Sequence, residues 1–236
     1  MSITEQLLRP LLKTAAARPL ITHYDDSAGT RVELSVATLA NWAAKTANWL
    51  VEEVDVEPGD EVAVELPAHW QTAGVLLGAW WCGAHVVTDA AQARVAFTGP
   101  GVTTSAAQAT AVLALDPLGR GFGDPLPDGA LDYLSEARLA GDDFTSLFPI
   151  EGDTPALAGS TVDEVLAEAR SLAGESGITD GARVLSTMEW NVPGGVLAGL
   201  LAPLSAGASL VQVTGPDPAK LDYRRGTERT TVDLLG

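Results

Sequence analysis

The stretch Val56–Val87, VEPGDEVAVELPAHWQTAGVLLGAWWCGAHVV, is echoed later in the chain by Ile178–Val213, ITDGARVLSTMEWNVPGGVLAGLLAPLSAGASLVQV. Gly59 aligns with Gly181, Val62 with Val184, and Gly83-Ala84 with Gly207-Ala208 after a small insertion. Upstream, Ser35-Val36-x-x-Leu39 matches Thr161-Val162-x-x-Val165, the first copy being longer by four residues, about one helical turn. Self-similarity on this scale marks a repeated supersecondary unit, here helix–turn–strand–helix–strand. Helices alternating with short buried strands predict parallel βα units. The fold class is therefore α/β: two related βα lobes with mostly parallel, helix-flanked sheets, plus an N-terminal β-hairpin. The reading takes 1–236 as a single domain, with 1–127 as its first lobe, 150–236 as its second, and 128–149 as the connection between them.

Working outward, Ser2 and Glu5 form a capping box for a first helix, which Pro10 is expected to bend or interrupt. Leu20–Tyr24 and Arg31–Leu34 flank Asp25-Asp26-Ser27-Ala28-Gly29-Thr30 and read as the hairpin. Ser35 caps a helix whose apolar positions Leu39, Trp42, Ala43, Thr46, Leu50 and Val54 recur at helical spacing. Strand Glu61–Leu66 ends at Pro67, and the helix around Trp70–Trp81 passes through Gly83 into strand His85–Thr88. Val95-Ala96-Phe97 and Ala111–Leu115 are expected strands, and Pro117–Pro127 an irregular connection. Thr161–Gly174 is an amphipathic helix that opens the second repeat.

The 236 residues carry a formal charge of −17, with 14 Lys and Arg against 31 Asp and Glu. Phosphate binding needs clustered cations, so nucleic acid is excluded as a partner, and the average field opposes ATP. Cys82 stands alone in an apolar run, which excludes an intramolecular disulfide and suits a small buried hydrophobe. The first residues, MSITEQLLRPLLKTAAARP, lack the apolar region of a signal peptide, and a cytoplasmic location is expected. Trp190–Pro216 is uncharged and long enough to span a bilayer. Its Pro193, Pro203, Asn191 and Gln212, however, suit a buried helix followed by a buried strand, and no membrane association is expected.

No nucleophile elbow is present, and His23, His69 and His85 with one cysteine give no metal-ligand spacing. These histidines read as packed or surface residues. Gly119-x-Gly121-x-Gly123 has Asp124 where a third glycine of a phosphate loop should fall, and is not taken as one.

Thr22-x-Tyr24-Asp25 with its hairpin, Val56-x-Pro58-Gly59-Asp60-x-Val62-Ala63-Val64-x-Leu66-Pro67 and Gly83-Ala84 resemble the N-terminal part of the adenylate-forming superfamily: acyl-CoA synthetases, luciferases and adenylation domains. Ala182-Arg183-Val184-Leu185-Ser186, Leu200-Leu201-Ala202-Pro203-Leu204-x-x-Gly207-Ala208 and Thr227–Val232 resemble its later lobe. In that family a strand leads into a Ser/Thr/Gly-rich loop whose lysine cradles the ATP phosphates. Here Asp153-Thr154-Pro155-Ala156-Leu157 resembles the strand, but only Ala158-Gly159-Ser160 remains of the loop, and no lysine lies between Lys45 and Lys220. The family's aromatic-His acyl-pocket motif is matched by Trp190-Asn191 ahead of Gly194, with Asn in place of a titratable His. The family's later adenine, ribose and catalytic-lysine motifs find no counterpart before Gly236.

The resemblance with these departures implies a noncatalytic homologue that acts as a binding or scaffolding protein, without catalytic residues, metal or cofactor, ATP and Mg²⁺ included. Trp190, Asn191 and Gly194 are the candidate ligand pocket. The alternatives are a binder of a small acid, acyl or adenylate ligand at that pocket, and one subunit of a split acyl-CoA synthetase-like ligase. A homodimer or a complex with another chain is the expected assembly.

Overall fold

Two sheets exchange strands across the middle of the chain. A computed structural model describes residues 1–236. Its elements run α1 (Ile3–Ala15), β1 (Pro19–Asp25), β2 (Thr30–Ser35), α2 (Val36–Val54), β3 (Glu61–Glu65), α3 (Trp70–Cys82), β4 (His85–Val87), β5 (Val95–Thr98) and β6 (Ala109–Val112). There follow β7 (Leu131–Asp132), α4 (Tyr133–Ala137), β8 (Pro155–Leu157), β9 (Ser160–Thr161), α5 (Val162–Glu175) and β10 (Arg183–Ser186). The chain closes with α6 (194–205), β11 (Ser209–Thr214), α7 (Pro218–Glu228) and β12 (Val232–Leu234). One sheet has the order β12-β10-β11-β1-β2, the other β7-β6-β5-β3-β4-β8-β9. Every pairing is parallel except the hairpins β1–β2 and β8–β9.

The strand order corrects the division at 128–149. The N-terminal hairpin belongs to the sheet of the second repeat, through the parallel ladder that sets Ile21 beside Leu210 and Tyr24 beside Val213. The hairpin β8–β9 in turn extends the sheet of the first repeat, Leu157 pairing with Val86. A repeat unit of two strands cannot close its own sheet edges, and each takes in a hairpin from the other side of the chain. One continuous core of 54 buried residues, from Ile3 to Leu210, joins the two halves. Segment 128–149 is also more than a connection, since it holds β7 and α4.

Helix α3 lies between the sheets. It packs against β4 of one and β1 of the other, and all its residues except Trp81 are buried, which explains its lack of an amphipathic pattern. Both helices that precede the Gly-Ala pairs end in the left-handed region, Gly83 at φ 87° and Gly207 at φ 73°. Only glycine takes that conformation without a side-chain penalty, so the repeated glycine is a repeated helix stop. The N-caps are repeated too: Ser35 Oγ accepts from the Thr38 amide, and Thr161 Oγ1 from the Glu164 amide.

Helices α2 and α3 touch through backbone. A methyl on Gly78 would meet Thr46 and come within 2.7 Å of the Ala43 carbonyl oxygen. Thr46 cannot move aside, because its hydroxyl is bonded to the Trp42 carbonyl and to Tyr133 Oη. Other details differ from expectation. Helix α1 continues through Pro10, with Thr14 Oγ1 donating to the Pro10 carbonyl at 3.0 Å. The fourth parallel strand starts at Ala109 instead of Ala111, in register with Val95. Cys82 is buried, and burial pushes its thiol up to about 12. No helix is long and apolar enough to cross a membrane.

Helix α7, which the sequence reading did not place, is tied to the hairpin by charge. Arg224 holds Asp26 with both guanidinium nitrogens and lies 4.4 Å over the Tyr24 ring. Glu228 accepts from Tyr24, Arg31 and Arg183. Burial alone would raise the Glu228 carboxyl, but these donors outweigh it and hold it down at about 2. The Arg224 bonds likewise keep Asp26 well below the ordinary carboxylate range.

The α2–α3 contact sets a measurable expectation. Gly78→Ala overpacks a backbone crossing and should cost about 1–3 kcal/mol, a fall in Tm of roughly 3–10 °C. Gly74→Ala, whose new methyl would sit 3.3 Å from Trp42 Cβ, should be close to neutral, since the helix gains propensity. Equal melting of the two variants in a denaturation series would contradict the crossing described here.

Candidate functional site

Strands of a parallel sheet open their carboxyl ends toward a common side, and ligands gather there. In this chain β3 runs out at Glu65 and Pro67 turns the backbone away, while β4 ends before Thr88. The loop 187–193 that follows β10 comes across from the other sheet. Between them lies a cleft of about 380 Å³, walled by Val64–Pro67, Thr88 and Glu189–Val192.

The loop is held from behind. Met188 donates its amide to Ser186 Oγ and accepts from Gln212 Nε2 at 3.0 Å. Trp190 is buried against Gly199, where an added methyl would fall 2.9 Å from the indole nitrogen. The Gly195 and Gly199 spacing thus serves loop-to-helix packing: the Gly195 position is closed by the Glu189 carbonyl. Asn191 is exposed, and its carbonyl accepts from the Gly195 amide at 2.8 Å as α6 begins. The middle of α6, Leu197–Leu201, is wound as π-helix. Trp190 and Asn191 share the cleft wall; Gly194 is exposed and lies outside it.

The electrostatics of this wall were not read from the sequence. Glu65 and Glu189 line the cleft, and no Lys, Arg or His does. The signal was available at Glu65, which stands at the end of a parallel strand.

The segment expected at the position of a phosphate loop, Ala158-Gly159-Ser160, is the tip of the hairpin β8–β9. Ala158 and Gly159 both have positive φ, 47° and 92°. Their amides point inward. Ala158 donates to the Val86 carbonyl at 2.9 Å, and Gly159 donates to His85 Nε2 at 2.9 Å. His85, expected as an ordinary packed or surface residue, therefore closes the loop. The other glycine-rich segment turns on protein carboxylates: the Phe122 amide donates to Asp132, and the Leu118 and Arg120 amides to Asp116.

His23 and His69, both buried, meet edge to face at a ring separation of 4.3 Å. His23 Nε2 bonds Thr214 Oγ1 at 2.9 Å, and His69 Nδ1 caps α3 by accepting from the Gln71 amide. Burial lowers His23 to about 4, against the opposing pull of Asp25 and the Ala68 carbonyl. Burial, with His23 beside it, lowers His69 to about 3. The pair seals the junction of β1, β11 and α3 as neutral imidazoles. No group of His, Cys, Asp or Glu is placed to hold a metal ion.

This geometry is the N-terminal half of the acyl-CoA synthetase fold. The chain superposes on the acyl-CoA synthetase of Brucella canis with a TM-score of 0.76, at 18% identity, over 100% of its own length and 47% of that chain. Apo MatB from Rhodopseudomonas palustris gives 0.73 at 17% identity, over 100% and 49%. Acetoacetyl-CoA synthetase from Streptomyces lividans gives 0.72 at 20%, over 97% and 41%. The chain thus spans just under half the length of these enzymes. No family model matches it. A protein of Mycobacterium tuberculosis (strain ATCC 25618 / H37Rv) described as a TIGR03089 family protein is 45% identical over 239 residues, 98% of this chain and 97% of the relative. The chain belongs to that family.

The histidine pair sets a pH expectation. Unfolded histidine takes its proton near 6.5, and the folded pair resists until pH 3–4. The unfolded state then binds more protons in between, so this contribution is complete above pH 6.5 and is lost as pH falls toward 4. By pH 5 the loss should reach roughly 3–4 kcal/mol. His69→Asn keeps a capping side chain and should remove about half of the slope of stability between pH 6.5 and 5. An unchanged slope in pH-dependent urea melts would exclude the pair as its source.

Proposed function

We propose that this chain is a noncatalytic relative of the adenylate-forming enzymes that works as a binding or scaffolding protein. The observation that carries the reading is the hairpin tip at Ala158-Gly159. Binding of a triphosphate needs several unoccupied amides and a cation. The amides of Ala158 and Gly159 are already bonded to Val86 and His85, and Ser160 is followed at once by Thr161, the N-cap of α5. The cleft at the ends of β3 and β4 adds two carboxylates, which repel phosphate. Purified protein incubated with Mg·ATP and a panel of carboxylic acids should release no pyrophosphate and form no hydroxamate. Mg·ATP should leave Tm unchanged. Adenylate formation by the chain alone would overturn the reading.

A second reading, a binder of a small acid, acyl or adenylate ligand, is favoured by the cleft itself, a concave space that sets Val64, Leu66, Trp190 and Val192 beside the polar groups of Glu65, Thr88, Glu189 and Asn191. Glu65 and Glu189 favour an uncharged acyl group over a free acid. A ligand at a hundredfold excess over its Kd adds about 2.7 kcal/mol. That corresponds to a rise in Tm of roughly 5–10 °C for a chain of this size. Asn191 is exposed, so Asn191→Ala should leave the unliganded Tm unchanged and weaken such a ligand by about tenfold. A thermal-shift screen of acyl esters and acyl-adenylate analogues with no hit would remove this reading.

A further inference from the structure

A second depression, of about 230 Å³, lies between the C-terminal end of α2 and the segment 144–148. Its walls are Val51, Val56, Pro58, Phe144, Leu147 and Phe148. Leu147 is 86% and Phe148 56% exposed, two large apolar side chains side by side on one segment. A single exposed apolar residue is ordinary, whereas adjacent ones beside an apolar groove mark a contact surface.

The segment is fixed in place from its N-terminal side. Lys45 Nζ donates to the carbonyls of Arg138 and Ala140 at 3.1 and 2.7 Å, and Asn48 Nδ2 to those of Gly141 and Asp143 at 3.0 and 2.9 Å. The groove is therefore held by side-chain bonds to helix α2.

Its charge is of one sign. Asp55 and Glu57 stand in the wall, and Asp142 and Asp143 lie just before Phe144. Of these only Asp142 has a cationic partner, Lys45 at 2.8 Å, and no Lys or Arg lines the groove. A second copy docking here would bring the same carboxylates face to face, at a cost that rises as water leaves. The complementary occupant is a cationic one. We propose that this groove is the docking site for an amphipathic, Lys/Arg-rich segment of a partner protein, apolar anchors in the groove and basic residues on the carboxylate rim. Groove docking by one apolar face is a common mode of peptide recognition. The proposal deepens the scaffolding reading and rests on it for its purpose.

The test uses the full chain and two fluorescent model helices, one with a Leu face and a Lys face, the other with Glu for Lys. The Lys helix should bind, about tenfold more weakly as salt is raised to screen the rim, and the Glu helix should not. Leu147→Ser with Phe148→Ser changes only exposed side chains and should abolish binding without lowering Tm. Glu57→Lys with Asp143→Lys should weaken binding at least tenfold more than Glu168→Lys with Glu175→Lys, an equal charge change on the exposed face of α5. Binding that survives the serine variant, or that responds equally to both charge variants, reflects net charge alone and overturns the proposal. So does a dimer, seen by sedimentation, that the serine variant dissociates. Adenylation with peptide binding intact would remove only the noncatalytic reading. Loss of peptide recognition without adenylation would remove only the docking site.

Discussion

The parallel ladder between β1 and β11 is the constraint on which the rest depends. It commits the N-terminal hairpin to the sheet of the second repeat and leaves the first repeat to recruit β8 and β9. Helix α3 is then caught between two sheets and must be apolar on every side. His69, which opens that helix, is pressed against His23 on β1, and two imidazoles that would be wet elsewhere are kept neutral. The same ladder sets the loop after β10 opposite the ends of β3 and β4, and so creates the cleft. A fold of two independent lobes would have none of these features.

The chemistry available at the hairpin tip follows from where backbone hydrogen bonds go. A loop able to cradle phosphate keeps its amides unpaired until the ligand arrives. Here a tight hairpin turns those amides inward, and His85 accepts one of them from the neighbouring strand. Hydrogen bonding that stabilises the hairpin is thereby withdrawn from ligand binding. The same economy recurs at Asp132 and Asp116, carboxylates of the protein that occupy the amides of its glycine-rich segment.

Much of the fold was legible because the repeat carries backbone requirements that survive sequence drift. The helix stops at Gly83 and Gly207, the caps at Ser35 and Thr161 and the strands around Val62 and Val184 are local in origin, and local signals report them. The partition into lobes was not legible, since which sheet receives a hairpin depends on contacts such as His23 with Thr214, separated by 191 positions. Helix α7 escaped notice because its polar composition gives no apolar stripe: its two buried residues are Arg224 and Glu228. At the site, Trp190 and Asn191 could be named from their motif-like spacing. The carboxylates of Glu65 and Glu189 could not be brought together from sequence, because they come from different sheets.

The charged attachment of α7 has a thermal consequence. Helices such as α3 are held by apolar burial, which weakens on cooling because of the large heat-capacity change of apolar hydration. Helix α7 is held mainly through Asp26, Arg224 and Glu228, and ion pairs pay a smaller dehydration penalty as temperature rises. Both attachments therefore gain on warming, but the apolar gain levels off while the ionic one continues, so the hold on the C-terminal helix shifts toward its charges as temperature rises.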